Sequence, residues 1–191
     1  MSDDKKKKIV DAAIKVLADE NYESMKTANI AKIAGVAQGT IYLYFKGKNE
    51  IFSEVIISIG DRISRLFFDN ISSINSVIDN IQIIVKNFYQ KRKETEGFYR
   101  IIYKAFSELD DSRVKIILDN IFEGIIDKIR MIITWARDKG EISIVNEDID
   151  LAATLVFGYT ETIWKKEILT DKRISEQELF MSLIKILKVV K

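Results

Sequence analysis

Histidine and cysteine are both absent from the 191 residues, so any chemistry must come from carboxylates, lysines, arginines, tyrosines and hydroxyls. An imidazole base, a thiolate nucleophile, a Cys/His zinc cage and a disulfide framework are excluded at once. Carboxylate acid–base catalysis stays open on paper, with Glu108, Asp110, Asp111 and Glu161 as its candidates. Those acids fall at predicted helix ends or among lysines, with no spaced metal-ligand pair and no Gly-rich phosphate loop. The expectation is therefore no enzyme, no metal and no cofactor. The richest polar constellation is Gln38-Gly39-Thr40-Ile41-Tyr42-Leu43-Tyr44-Phe45-Lys46-Gly47-Lys48. At 100° per residue Ile41 and Phe45 share one face, while Gly39 and Leu43 share the opposite one, flanked by Thr40, Tyr42 and Lys46. A helix that enters a DNA major groove needs that outward face: small enough to approach, with phosphate donors on its flanks.

The elements that must position this face follow from the pattern around it. Ile9, Ala12, Ala13, Val16 and Leu17 mark an amphipathic helix over about 4–20. A short helix over 27–34 follows, stopped by Gly35, and the next opens near Gln38 and closes at Gly47 as a C-cap. Ile30-Ala31, Ala34-Gly35-Val36 and Ile41 have helix-turn-helix spacing: Ala31 permits close approach, Gly35 supplies a positive φ, and Val36 with Ile41 packs the corner. Lys48 opens the next helix, where its charge and the free backbone N–H groups could hold one phosphate.

Beyond residue 47 the strokes lengthen. Helical patterns cover about 48–71, 76–93, 97–107, 112–139, 147–168 and 175–190, with a break at Thr95-Glu96-Gly97. Ser112 and Ser175 are expected N-caps, the latter with Glu178 in a capping box. Gly60, Gly124 and Gly158, each inside a helix, are expected at close contacts or kinks. There is no proline, Gly numbers only 8, and helix is unobstructed throughout. The fold class read from this is all-α, about nine helices, with a three-helix head at 1–47 and a larger body at 48–191. No apolar run approaches a membrane span and no leader-like stretch opens the chain, so the cytoplasm is the expected compartment.

Thirty basic against 29 acidic residues leave a net charge of +1. Residues 1–50 carry nine Lys and seven Asp or Glu, a net of only +2. Attraction to DNA must then be local, built from Lys26, Lys46 and Lys48. Lys5 to Lys8 follow Asp3 and Asp4 and read as a solvated end. In the last two helices, Leu151, Leu155, Phe157 and Ile163 lie with Tyr159 and Trp164. Leu179, Leu183, Leu187 and Val190 form a stripe that Phe180, Ile184 and Ile186 widen. Such broad apolar surfaces call for burial on more than one side.

Ile9-Val10-Asp11-Ala12-Ala13, Asn21-Tyr22, Ile30-Ala31, Ala34-Gly35-Val36 and Gly39 through Lys48 resemble the N-terminal domain of the TetR family of transcriptional regulators. The likeness covers roughly the first 50 residues, and the body shares only helix number and length. Two positions depart from the family pattern. Asn21 stands where Gly is usual, tolerating a left-handed backbone, and Ala37 replaces a Ser or Thr cap. The resemblance implies a homodimer, joined through the last two helices, on a palindromic double-stranded operator. It implies a small hydrophobic effector in the body that alters the spacing of the heads.

Carried over by position, Tyr42, Tyr44, Lys46 and Lys48 would contact phosphates. Gln38, Thr40 and Leu43 would be nearest the bases, with Gly39 among the DNA-binding positions, and Lys26 with Thr27 would lie by the backbone. An effector pocket would draw on Phe88, Tyr99, Tyr103, Phe106, Phe122, Trp135 and Tyr159. Lys86, Lys91, Arg92, Lys93, Arg100 and Lys104 would form either a solvated face or a basic mouth. The run from Gly39 to Lys46, and Phe157-Gly158 followed by Glu161-Thr162, resemble the fatty-acid-degradation repressors within the family, which implies an acyl-CoA effector. The alternative is a DNA-binding protein of the same fold controlled by a protein partner, with a solid body in place of a cavity.

Overall fold

A computed structural model describes residues 2–170 and 172–188. Val190, counted in the last apolar stripe, lies outside them. Nine α-helices are seen among the described residues: α1 (Ser2–Asp19), α2 (Thr27–Ala34), α3 (Gln38–Ile41), α4 (Lys48–Phe68), α5 (Val77–Gln90), α6 (Arg92–Ala105), α7 (Ser112–Asp138), α8 (Ile149–Thr170) and α9 (Glu176–Leu187). No described helix is long and apolar enough to cross a membrane. Two compact units emerge, one of Met1–Ile63 with Lys93–Ile121, the other of Ser64–Arg92 with Phe122–Lys191.

The first unit is built on the stripe read from the sequence. Ile9, Ala12, Ala13, Val16 and Leu17 of α1 are buried together with Ile30, Ile41, Phe45, Ile51, Phe52, Ile56 and Ile59. The basic end is not an arm. Lys5 to Lys8 form the second turn of α1, with Lys6 paired to Glu54 at 3.0 Å and Lys8 to Asp4 at 3.1 Å. Two side chains tie α1 to its neighbours. Arg62 of α4 bonds Asp11 and lies over the Phe98 ring of α6, 5.9 Å from its centroid. Lys104 of α6 donates to the carbonyls of Leu17 at 2.8 Å and Glu20 at 3.1 Å, placing a cation on the exposed carbonyls at the end of α1.

Gly60 makes the close contact expected of it: a Cβ there would lie 2.6 Å from Ile121 Cγ1 and 2.7 Å from Cδ1. Gly124 and Gly158 meet nothing within 4 Å, so neither serves a contact inside the chain. Gly60→Ala should gain about 1 kcal/mol of helix propensity and lose more to overpacking, about 1–3 kcal/mol. Thermal melts should show a lowered Tm that Ile121→Val partly restores. A raised Tm in the single variant would contradict the packing described.

In the second unit, Phe88 of α5 is the hub of an aromatic cluster, with Phe67 at 5.8 Å, Tyr89 at 5.4 Å and Trp164 of α8 at 5.0 Å between ring centroids. Arg92 and Glu167 form a largely buried ion pair beside it, and Glu167 also accepts from the Ile174 backbone N–H at 2.9 Å. α9 packs on α5 and α8, burying Leu179, Leu183 and Leu187.

Several boundaries differ from the sequence reading. Thr95, Glu96 and Gly97 lie inside α6, and the chain instead breaks for one residue at Lys91. Thr95 is completely buried, so packing holds this stretch helical against its local signals. Ser112 is the first residue of α7 rather than its cap; the Asp111 carboxylate takes that role, accepting from the Arg113 N–H at 2.8 Å. Ser175 does cap α9, in a complete capping box with Glu178. Hydrogen bonds from the Ser175 backbone and hydroxyl hold the Glu178 carboxyl below its ordinary value of 4.5. Its contribution is present above pH 4.5 and disappears as pH falls through the lowered folded value. Ser175→Ala should cost about 1 kcal/mol at pH 7. Glu178→Gln should flatten the fall in Tm between pH 5 and 3, as acid melts of the two chains would show.

Candidate nucleic-acid interface

Gly35 ends α2 with φ 68° and ψ 36°, and the Val36 N–H returns to the Ala31 carbonyl at 3.0 Å, turning the chain sharply into α3. Ala37 opens α3 in extended conformation and donates no side-chain cap, as its identity dictates. The helix is shorter than expected. It ends at Ile41, and Leu43, Tyr44 and Phe45 continue as tight turns whose N–H groups bond Thr40 and Ile41 carbonyls at 3.0–3.2 Å. Ile41 and Phe45 are both buried anchors, 0% and 2% exposed, and fixing both to the core sets the tighter winding. Gly47 is not a left-handed cap: its carbonyl accepts from the Ile51 N–H at 3.3 Å as α4 begins. Asn21 likewise keeps a negative φ, with its carbonyl accepting from Ser24 Oγ at 3.0 Å and the Met25 N–H at 3.1 Å.

The anchored face leaves the other face outward. Leu43 is 81% and Tyr42 55% exposed, with Gln38, Gly39 and Lys46 exposed and Thr40 and Tyr44 half-buried. Gln38 Nε2 donates to Thr27 Oγ1 at 3.3 Å, and Thr27 Oγ1 shares a hydrogen bond with the Tyr42 hydroxyl at 3.3 Å. One hydroxyl thus fixes the front of α2 to both ends of α3, bringing together three residues picked from the sequence. Lys26 and Lys46 are exposed too.

Lys48 is differently engaged. Its ammonium donates to the Glu23 carbonyl at 3.0 Å and sits 4.4 Å from the Tyr22 ring centroid. The Tyr22 hydroxyl in turn donates to Asn49 Oδ1 at 2.5 Å. Lys48 therefore braces the turn after α1 against α4 in the free chain. Burial, with the negative charges of Glu108 and Asp111, pushes the Tyr22 phenol above its ordinary value and keeps it a donor. No local pattern signals this brace, since its partners lie 25 and more residues apart.

The effector candidates divide between the units. Tyr99, Tyr103 and Phe106 form a ladder of rings in the first, spaced 6.2 and 6.5 Å. Phe88, Phe122, Trp135 and Tyr159 belong to the second. There Phe88 is 5% exposed inside its ring cluster, Phe122 meets Phe157 at 5.7 Å, and Trp135 and Tyr159 are half-buried. The basic residues nearby do not form one free face: Arg92 pairs with Glu167, Arg100 with Glu96 at 2.8 Å, and Lys104 caps α1. The acids weighed for catalysis are equally scattered. Glu108 and Asp111 border a cleft of about 110 Å³ beside Tyr22, and Glu161 pairs with Lys165 at 3.3 Å.

A sharp glycine turn, a buried corner and an outward face on α3 define a helix-turn-helix. Residues 9–55 match the family model described as bacterial regulatory proteins, tetR family. A fatty acid metabolism regulator protein of Bacillus subtilis is 27% identical over 182 residues, spanning 94% of this chain and 91% of that one. The fold is also that of the transcriptional regulator FadR from Bacillus subtilis, solved in complex with stearoyl-CoA, with TM-score 0.70, 24% identity and coverage of 96% and 98%. Salmonella enterica GusR superposes with TM-score 0.75 at 21% identity over 96% of this chain and 95% of its own.

Proposed function

We propose that this regulator is a cytoplasmic repressor that grips a palindromic operator as a homodimer and is released by a long-chain acyl-CoA. Residues 1–47 would bind DNA and residues 48–191 would hold the effector and the dimer contact. The observation that carries the DNA reading is the outward face of α3 and the turns after it, where Gly39 and Leu43 stand clear while Gln38, Thr27 and Tyr42 are locked together. Thr40, Leu43 and Gln38 would meet base edges, with Lys26, Thr27, Tyr42, Tyr44 and Lys46 on the backbone. Lys48 would join them by leaving the Glu23 carbonyl. The acyl-CoA reading rests on the likeness to the fatty acid metabolism regulator over nearly the whole chain. The body aromatics Phe122, Trp135 and Tyr159, backed by Phe88, and the Tyr99, Tyr103 and Phe106 ladder are the rings available to a hydrophobic effector. Lys104 and Arg62 support coupling, because a shift of α6 or α4 would pull directly on α1.

A gel shift against the DNA upstream of the protein's own gene, and against a genomic fragment library, tests both halves. The expected result is a specific, salt-sensitive complex with two chains per site that palmitoyl-CoA or stearoyl-CoA dissolves. A complex that no acyl-CoA from C8 to C18 disturbs would end the effector reading. Failure to select any specific fragment would end the operator reading.

A further inference from the structure

A groove of about 750 Å³ opens within the first unit, lined by residues of α4 and α7 and by the link between α3 and α4. Ile57 and Ile117 supply its apolar wall, and Lys46 and Arg113 bring cationic side chains to it. Neither the Lys46 ammonium nor the Arg113 guanidinium has a partner among the described residues. The two acids on its α4 side are already engaged: Glu50 accepts the Lys46 backbone N–H at 2.6 Å, and Glu54 pairs with Lys6. One polar group is left over. Ser53 is 6% exposed, lines the groove, and its Oγ has no hydrogen-bond partner. Buried hydroxyls are normally satisfied, so an orphan lining the same groove as two cations unpaired among the described residues is an unfilled specification.

We propose that this groove is a second ligand site, for a small amphipathic anion: a compact apolar body bearing a carboxylate or phosphate. The apolar body lies along Ile57 and Ile117, the Ser53 hydroxyl donates to a ligand oxygen, and Arg113 and Lys46 hold the negative charge. None of the aromatic residues assigned to the acyl-CoA effector lines this groove. Its occupant would neutralise Lys46, one of the cations placed on the DNA backbone above, so binding here would weaken operator affinity. That consequence depends on the operator reading, whereas the binding itself does not.

Calorimetric titration of the full chain, without DNA, with octanoate, octyl phosphate and neutral octanol decides the matter. Both anions should bind and octanol should bind at least about tenfold more weakly. Arg113→Gln and Ser53→Ala should each weaken the anions, the former by about tenfold, and Ile57→Trp should fill the groove and abolish binding. Arg113→Gln changes an exposed side chain with no partner, so its result stands even if the two α4 variants lose stability, which melts would reveal. Absence of anion binding, equal binding of octanol, or affinity indifferent to Arg113→Gln would each overturn the proposal.

Discussion

Gly39→Glu should abolish specific operator binding while leaving the fold intact. Gly39 lies in α3 on the exposed face, and an added Cβ meets nothing within 4 Å. The substitution therefore costs no packing, and replacing Gly inside a helix returns up to about 1 kcal/mol. A carboxylate in the first turn of a helix is also favourably placed. Against DNA the same side chain is doubly wrong: it fills the space needed for close approach and sets a negative charge against phosphates. Losing one base-contact region costs about 1–3 kcal/mol. A dimer repeats the loss in both heads, for a drop on the order of 10²–10⁴-fold in affinity. Fluorescence anisotropy on the selected operator, paired with a melt, measures both quantities. Full-strength binding by Gly39→Glu would remove α3 from the DNA interface.

The head was legible because its signals are local and agree. The α1 stripe, the Gly35 turn and the paired anchors Ile41 and Phe45 each point to one arrangement, and the structure buries those residues as read. The end of α3 was not legible, since it is the docking of Ile41 and Phe45 that tightens the winding before Gly47. Thr95-Glu96-Gly97 looked like a break for a related reason: the burial of Thr95, invisible to a window of neighbours, outweighs the local helix breakers. Charges proved hardest to place. Lys48 and Lys104 read as phosphate and surface lysines, yet both donate to backbone carbonyls, of Glu23 and of the end of α1. A lysine's spacing shows which face it occupies and nothing of a partner 25 or 87 residues away.

These long-range contacts also bear on the coupling proposed above. An independent head on a flexible tether would not feel an effector in the body. Here Arg62 of α4 holds Asp11 while facing Phe98, and Lys104 of α6 holds the far end of α1, so α1 is gripped at its middle and at its C-terminal end. Displacing α4 or α6 must either carry α1 with it or break charge-assisted hydrogen bonds, each worth about 1.5–3 kcal/mol. Coupling of that size matches the range of ordinary allosteric free energies.

Leu155→Arg should convert a dimer into a folded monomer and take operator affinity with it. α8 buries Ile149, Ala153, Val156 and Trp164 on one face, yet Leu151 is 59%, Leu155 54% and Leu169 81% exposed on the other. Spacings of four, three and four residues align Leu151, Leu155, Gly158 and Thr162, all exposed. Gly158 has open space before it, which would let a second backbone approach closely. Such a face on an otherwise buried helix is costly to leave in water, at up to about 1.5–3 kcal/mol per leucine. We propose that a second copy covers it, together with the exposed Met181 of α9. In a two-fold interface each substitution acts twice, so two arginines would replace two leucines at the seam. Light scattering should show the mass falling from about twice 22.0 kDa to the single-chain value, with helicity preserved because Leu155 has little intrachain packing to lose. Operator affinity should fall by about 10²–10⁴-fold, the usual return on linking two binding modules, since a head of net charge +2 makes few phosphate contacts alone. An unchanged dimer would place the interface elsewhere, and a monomer binding DNA at full strength would show that one head suffices.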